Sequence, residues 1–170
     1  LCFTETKKGS SALSDISDHQ TGWKSIHHPT ATHGLAICYD ESKVVICTTN
    51  FPDQPFVSQM ELMSTILTIE GEQVMIVLLY RPPITTQQQK YNFIEELTYQ
   101  LGMLQIHQYN TIILGDFNLD QMDNSHVDLF HGIRERFSLT QRTNYSSHIY
   151  GGILDLVFHN KKEEPVEWMP

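Results

Sequence analysis

The sequence is poor in several features that would each define a class of protein. It has three cysteines in 170 residues, at positions 2, 38 and 47, with no CxxC spacing. Neither a disulfide framework nor a structural zinc site finds support in that pattern. All three lie in apolar stretches, where a reduced thiol behaves as a small hydrophobe, and a reducing, intracellular compartment is the simplest setting. Basic residues are also scarce: 11 Lys and Arg stand against 20 Asp and Glu, a formal net charge of −9. That balance argues against a generic nucleic-acid coat, which needs a basic face for phosphates. It leaves room for an enzyme that gathers carboxylates around a divalent cation. Long hydrophobic runs are missing too. The longest, Val74–Tyr80, falls far short of the roughly 20 residues of a membrane-crossing helix, so no membrane association is expected. No internal repeat, low-complexity stretch or long charge block interrupts the chain. No leader opens it, and its start at Leu1-Cys2-Phe3 reads as that of a fragment.

What is present is ordinary globular material. Hydrophobic residues make up 40% of the chain, enough for one domain over positions 1–170, burying about 70% of the surface of its unfolded chain. Leu1-Cys2-Phe3-Thr4 reads as the tail of a strand, followed by a polar loop from Lys7 to His33. Leu35–Tyr39 and Val44–Thr48 flank Asp40-Glu41-Ser42-Lys43 as an expected hairpin. Leu62–Ile69 and Gln73–Tyr80 flank Glu70-Gly71-Glu72 as a second. Val74-Met75-Ile76-Val77-Leu78-Leu79 is apolar at consecutive positions, which predicts a strand covered on both faces.

Thr86 and Gln89 fit a capping box, with Phe93, Leu97, Leu101 and Leu104 at helical spacing to about Ile106. Thr111–Leu114 is a short buried strand. Asn124 is placed to cap a second helix carrying Val127, Phe130, Ile133 and Phe137 on one face. Strands at Leu139–Gln141 and Ile153–Phe158 complete the pattern. Paired strands with inserted helices predict an α/β fold with a mixed β sandwich rather than a purely parallel sheet.

Reactive groups in such folds sit at strand ends, where loops hold polar atoms that a core cannot. Four ends carry candidates. Gly115-Asp116-Phe117-Asn118 is the sharpest: Asp116 and Asn118 share a face if the backbone is extended, and a carboxylate beside an amide can activate and hold a water. The same residues also suit a plain turn. Asp155 lies between Leu154 and Leu156, either as a paired buried charge or on the wet face of an alternating strand. Glu5 is either a ligand for a hard cation or an exposed loop residue. Tyr80 and Arg81 could meet a phosphate, which Arg matches with two parallel hydrogen bonds, or Tyr80 could simply pack.

The order of these segments is more specific than any one of them. Leu1-Cys2-Phe3-Thr4-Glu5-Thr6, Tyr80-Arg81-Pro82-Pro83, Ile113-Leu114-Gly115-Asp116-Phe117-Asn118 and Ile153-Leu154-Asp155-Leu156-Val157-Phe158 together resemble the endonuclease/exonuclease/phosphatase superfamily. The nearest flavour is the apurinic-like endonuclease domain of eukaryotic mobile elements, carried by non-LTR retrotransposons and Helitron relatives. Leu139-Thr140-Gln141, Ser147-His148 and Gly151-Gly152 resemble those versions as well. The resemblance implies a two-sheet, four-layer sandwich and Mg²⁺-dependent hydrolysis of DNA phosphodiesters, with Mn²⁺ as a substitute, by a monomeric domain of a larger polyprotein acting in the nucleus. It makes Glu5 the metal ligand and Asp116 the base or water-orienting carboxylate. Asn118 would position water and phosphate, Tyr80 would contact the phosphate or leaving group, and Asp155 would orient a catalytic histidine. Arg81 and His148 would contact phosphate or DNA.

The same resemblance implies a preceding Asn-bearing strand and a closing Ser-Asp-His strand, both missing from this chain. Ser17-Asp18-His19 has the letters of the latter in the wrong place, and His33-Gly34 stands where the superfamily commonly shows Gly-Gly. The expectation for the 170 residues alone is therefore weak turnover. A phosphatase of the same superfamily and a non-catalytic interaction domain are the competing readings.

Overall fold

The computed structural model describes residues 1–6, 22–29, 32–52, 56–83, 86–146 and 151–160. Strands β1 (Cys2–Thr4), β2 (Trp23–His27) and β3 (Leu35–Asp40) form a small antiparallel sheet in the order β1-β3-β2. The larger sheet contains β4 (Val44–Asn50), β5 (Glu61–Ile69), β6 (Glu72–Tyr80), β7 (Asn110–Asp116), β8 (Thr140–Gln141) and β9 (Asp155–His159). Its order is β4-β5-β6-β7-β9-β8, and only the β6–β7 pair is parallel. Helix α1 (Gln87–Met103) makes the crossover that a parallel pair requires. Helix α2 (Asn124–Phe137) lies between β7 and β8 in the chain.

Strand β6 shows why the layers stack as they do. Its odd residues Met75, Val77 and Leu79 pack with Phe93, Leu97 and Leu101 of α1 and Phe130 and Ile133 of α2. Its even residues Ile76, Leu78 and Tyr80 pack against Leu35 and Ile37 of the small sheet. Consecutive apolar positions thus bury both faces of the strand, one under helices and one under a second sheet. The α/β sandwich expected from the sequence is the observed fold.

Local signals are equally direct. The Thr86 hydroxyl accepts from the Gln89 backbone N–H at the start of α1. Asp123, one residue before the expected Asn124, caps α2 by accepting from Ser125 N–H. The β5–β6 hairpin turns through Glu70 and Gly71, both with positive φ, as a short loop matching the strand twist demands.

Two expectations fail. β3 and β4 do not pair: the chain leaves the small sheet at Asp40 and enters the large one at Val44. β3 is buried from Leu35 to Cys38, and both its edges are taken by β1 and β2. The Asp40 carboxylate, accepting from Ser42 N–H and Oγ–H, closes the connecting turn instead. Inside the expected polar loop lies β2, which has no visible alternation because each face carries one apolar anchor. Ile26 enters the inter-sheet core and Trp23 packs outside, against Ala36 and Cys38.

The cysteines are free, but Cys47 is exposed on β4 rather than packed. Among the described residues no helix is long and apolar enough to cross a membrane.

One glycine sets the spacing of the central pair. Gly115 has φ +149, and a Cβ placed there would come 1.8 Å from the backbone oxygen of Leu79 on β6. No rotamer relieves a clash between backbone and Cβ, so β6 and β7 would have to separate. Gly115→Ala is expected to destabilise the fold by about 3 kcal/mol or more, read as a lower midpoint in urea denaturation. A midpoint within error of wild type would show that the pair tolerates separation.

Candidate active site

The large sheet ends in a row of polar side chains. In register, Tyr80 lies opposite Asp116, and Asp116 opposite Asp155. Parity then fixes their direction. Leu78 on β6 and Leu114 on β7 belong to the inter-sheet core, whereas Leu156 and Phe158 on β9 belong to the helix side. Tyr80, Asp116 and Asp155 therefore all project on the face that looks toward the small sheet.

Glu5 completes the row from that second sheet. It follows β1 with φ +55, a left-handed step that ends the strand. Its Oε1 accepts the Tyr80 hydroxyl at 3.0 Å. Tyr80 is 3% exposed. Burial, the bond to Glu5 and the surrounding carboxylates all hold its hydroxyl above the usual phenol range, so it stays a donor.

Asp116 and Asn118 meet through a turn, not through extended alternation. Asn118 has φ +46. Its backbone N–H donates to Asp116 Oδ1 at 2.9 Å, and its Nδ2 donates to Asp116 Oδ2 at 3.0 Å and to the Arg81 carbonyl at 2.7 Å. The turn preference and the carboxylate–amide pairing are thus one geometry. Between them Phe117, fully buried, plugs the turn into the core edge-to-face against Phe93, Phe130 and Phe158.

Arg81 does not reach the cleft. It continues the odd parity of β6, so its side chain turns to the helix side, fully buried, with the guanidinium 5.2 Å from the Phe93 ring centre. Its backbone N–H donates to the Asp116 carbonyl at 2.9 Å and Nη2 donates to the Asn118 carbonyl at 3.4 Å. Nε and Nη1 have no hydrogen-bond partner. Burial pulls its pKa down to about 10 while Asp116 opposes the shift, so the group remains a cation at neutral pH. The expected direct phosphate contact is replaced by a supporting position beneath the Asp116–Asn118 turn. His148 lies outside the described residues.

The electrostatics of the row are those of crowded anions. Burial raises Asp116 to about 6, with the charges of Asp155 and Glu5 adding to it and the two Asn118 bonds working against it. Oxygen donors with mutual repulsion fit a hard cation, which relieves that repulsion. Among the described residues no group of three His, Cys, Asp or Glu side chains converges on one point.

Some supporting residues carried no sequence signal. Asp120 fastens the loop after Asn118 to the approach of β9, accepting from Ile153 N–H and Met122 N–H at 3.0 Å each. Glu61 is the head of β5, one residue before the apolar run that announced the strand. It binds the loop at 32–34, and a charge at a strand boundary reads as loop until its partners are known.

The two-sheet α/β sandwich is also the fold of solved structures that include an endonuclease/exonuclease/phosphatase family protein. Humanized D. rerio TDP2 matches with TM-score 0.71 and 13% identity over 96% of this chain and 71% of that one. The human Nocturnin catalytic domain matches with TM-score 0.67 and 13% identity, covering 95% and 68%. A Bacteroides thetaiotaomicron mannosyl-6-phosphatase matches with TM-score 0.67 and 16% identity, covering 88% and 67%. D. rerio TDP2 complexed with a single-strand DNA product also matches, with TM-score 0.63 and 11% identity, covering 96% and 72%. No family model and no curated protein matches the chain by sequence.

The raised Asp116 makes a stability prediction. Its carboxyl ionises near 3.8 when unfolded and at about 6 when folded. Between those values the folded state holds the extra proton, so this residue's contribution falls as pH rises, and the penalty is complete above about 6. Asp120 and Asp123, held low by backbone N–H and hydroxyl donors, shift stability the opposite way, so the comparison must be with Asp116→Asn. In buffer free of divalent ions, wild type is expected to lose about 1 kcal/mol relative to Asp116→Asn from pH about 4 to 6, the value discounted for a partly wetted group. Urea midpoints at stepped pH measure it. A constant difference across that range contradicts the shift.

Proposed function

We propose that this protein is a Mg²⁺-dependent phosphodiesterase that nicks DNA, of the kind carried by mobile elements. The observation that carries the reading is one row drawn from both sheets: Tyr80 bonds Glu5 and lies opposite Asp116, which lies opposite Asp155 and is bonded by Asn118. The fold shared with a mannosyl-6-phosphatase and with a TDP2 complexed with single strand DNA product supports hydrolysis of phosphate esters. The mobile-element assignment rests on the ordered motifs and on the resemblance of Leu139 to Gly152.

In this reading Asp116 takes the proton of the attacking water, its pKa set near working pH by burial and by its anionic neighbours. Asn118, locked to Asp116 through Nδ2, keeps the carboxylate aimed and so limits the geometries in which that transfer occurs. Tyr80 offers a proton donor to a phosphate oxygen or to the leaving oxygen. Glu5 is the principal cation ligand, with Asp155 adding negative charge alongside Asp116. The bound cation supplies charge neutralisation at the phosphate as negative charge develops. A DNA substrate in a eukaryotic host implies action in the nucleus.

Asp116→Ala is expected to lower the nicking of supercoiled plasmid at least about 100-fold, with far-UV circular dichroism unchanged. Wild-type nicking is expected to vanish with EDTA and to return with Mg²⁺ or Mn²⁺. Nicking that persists in Asp116→Ala rejects the assignment. Release of inorganic phosphate from monoesters without nicking would move the protein to the phosphatase class.

A further inference from the structure

Beside the carboxylate row stands a histidine that none of the roles above uses. His33 Nδ1 lies 3.1 Å from Glu61 Oε1. The Glu61 oxygen is the acceptor, so Nδ1 carries the proton of this bond. Glu61 is itself immobilised: Oε1 also accepts from Thr32 N–H at 2.6 Å and His33 N–H at 2.9 Å, and Oε2 from Gly34 N–H at 3.3 Å. The side chain of Glu61 is 11% exposed and that of His33 is 39% exposed.

The imidazole packs on the Tyr80 ring at 4.7 Å between centroids, with the planes tilted 41°, and Tyr80 carries its hydroxyl to Glu5 on the other side. With Nδ1 held and one ring face covered, Nε2 is the remaining polar atom, and no bond to it is made by the described residues.

A histidine held through Nδ1 by an immobilised carboxylate is presented rather than packed, because the carboxylate fixes the orientation of the ring. The groups facing it are Glu61 from β5, Tyr80 from β6 and, across Tyr80, Glu5 after β1. His28 feels the same Glu61 charge. Beside a row of carboxylates, a nitrogen donor next to Tyr80 is the element that helps admit a polyanion.

We propose that His33, oriented by Glu61, is a substrate-binding residue of this site, its Nε2 facing a non-bridging oxygen of a phosphate ester next to Tyr80 and donating to it in the imidazolium form, which carries an N–H on both ring nitrogens. The inference rests on the phosphodiesterase reading and deepens it.

The experiment compares wild type, His33→Ala, His33→Gln, Glu61→Gln and Asp116→Ala on a fluorescently labelled DNA duplex with Mg²⁺. It adds ¹⁵N-histidine NMR of the wild-type chain titrated with the same duplex without divalent ions. His33→Ala is expected to raise KM about 10- to 100-fold, the worth of one charge-assisted hydrogen bond, with a much smaller fall in kcat. His33→Gln, whose amide can still donate, is expected to recover part of the loss. Glu61→Gln should raise KM and weaken the His33 Nδ1–H signal, and wild-type His33 Nε2 should shift as DNA binds. An unchanged KM in His33→Ala beside an inactive Asp116→Ala overturns the role of His33 and leaves the phosphodiesterase reading standing. A His33 signal unmoved by bound DNA overturns it even where turnover is too slow to measure. Full activity in Asp116→Ala overturns the phosphodiesterase reading itself, and with it the present inference.

Discussion

The close approach of β6 and β7 at Gly115 is the constraint on which the site depends. A bare Cα there lets the Leu79 carbonyl sit where any side chain would be. With the strands this near, Tyr80 and Asp116 stand opposite each other, and the Arg81 backbone N–H reaches the Asp116 carbonyl, extending the pairing by one bond. The turn that follows is then pinned from below by Phe117 among aromatic rings and from above by Asn118. Strand spacing, turn geometry and carboxylate placement are one chain of causes.

That arrangement carries an electrostatic cost. Asp116 lies opposite Asp155 and feels the charge of Glu5, and Arg81, the cation next to Tyr80, is buried on the opposite side of the sheet with donors unsatisfied. An unpaired buried donor typically costs about 1–3 kcal/mol. Strain and unmet charge of this kind concentrate where a protein binds something. Elsewhere the sandwich is conventional, with apolar strands between helices and a second sheet, and it is this regular remainder that keeps the crowded end in place.

Most of the architecture was legible because its signals were local. Thr86 with Gln89, Glu70-Gly71 and the consecutive apolar residues of β6 each announce their structure within a few positions. The elements missed were those whose cause lies far away in the chain. β3 looks like one arm of a hairpin until β1 and β2 occupy both its edges, and β2 hides because Trp23 and Ile26 serve opposite faces. Arg81 reads as a phosphate ligand by residue type, and only strand parity shows that it points away. Glu61 and Asp120 do nothing recognisable until the loops they fasten are folded against them. In the candidate site, Asp116 and Asn118 were visible as a motif, whereas the contact of Tyr80 with Glu5 spans 75 positions and is a product of topology.

The provenance of the acidic row has a consequence for when the protein can act. Glu5 follows the first strand of one sheet, Asp116 comes from the middle of the other and Asp155 from its penultimate strand. No hairpin, helix pair or isolated sheet of this chain contains them all. A partly synthesised or locally unravelled molecule consequently lacks the row altogether, and the activity proposed for it is coupled to completion of the tertiary structure rather than to any separable fragment.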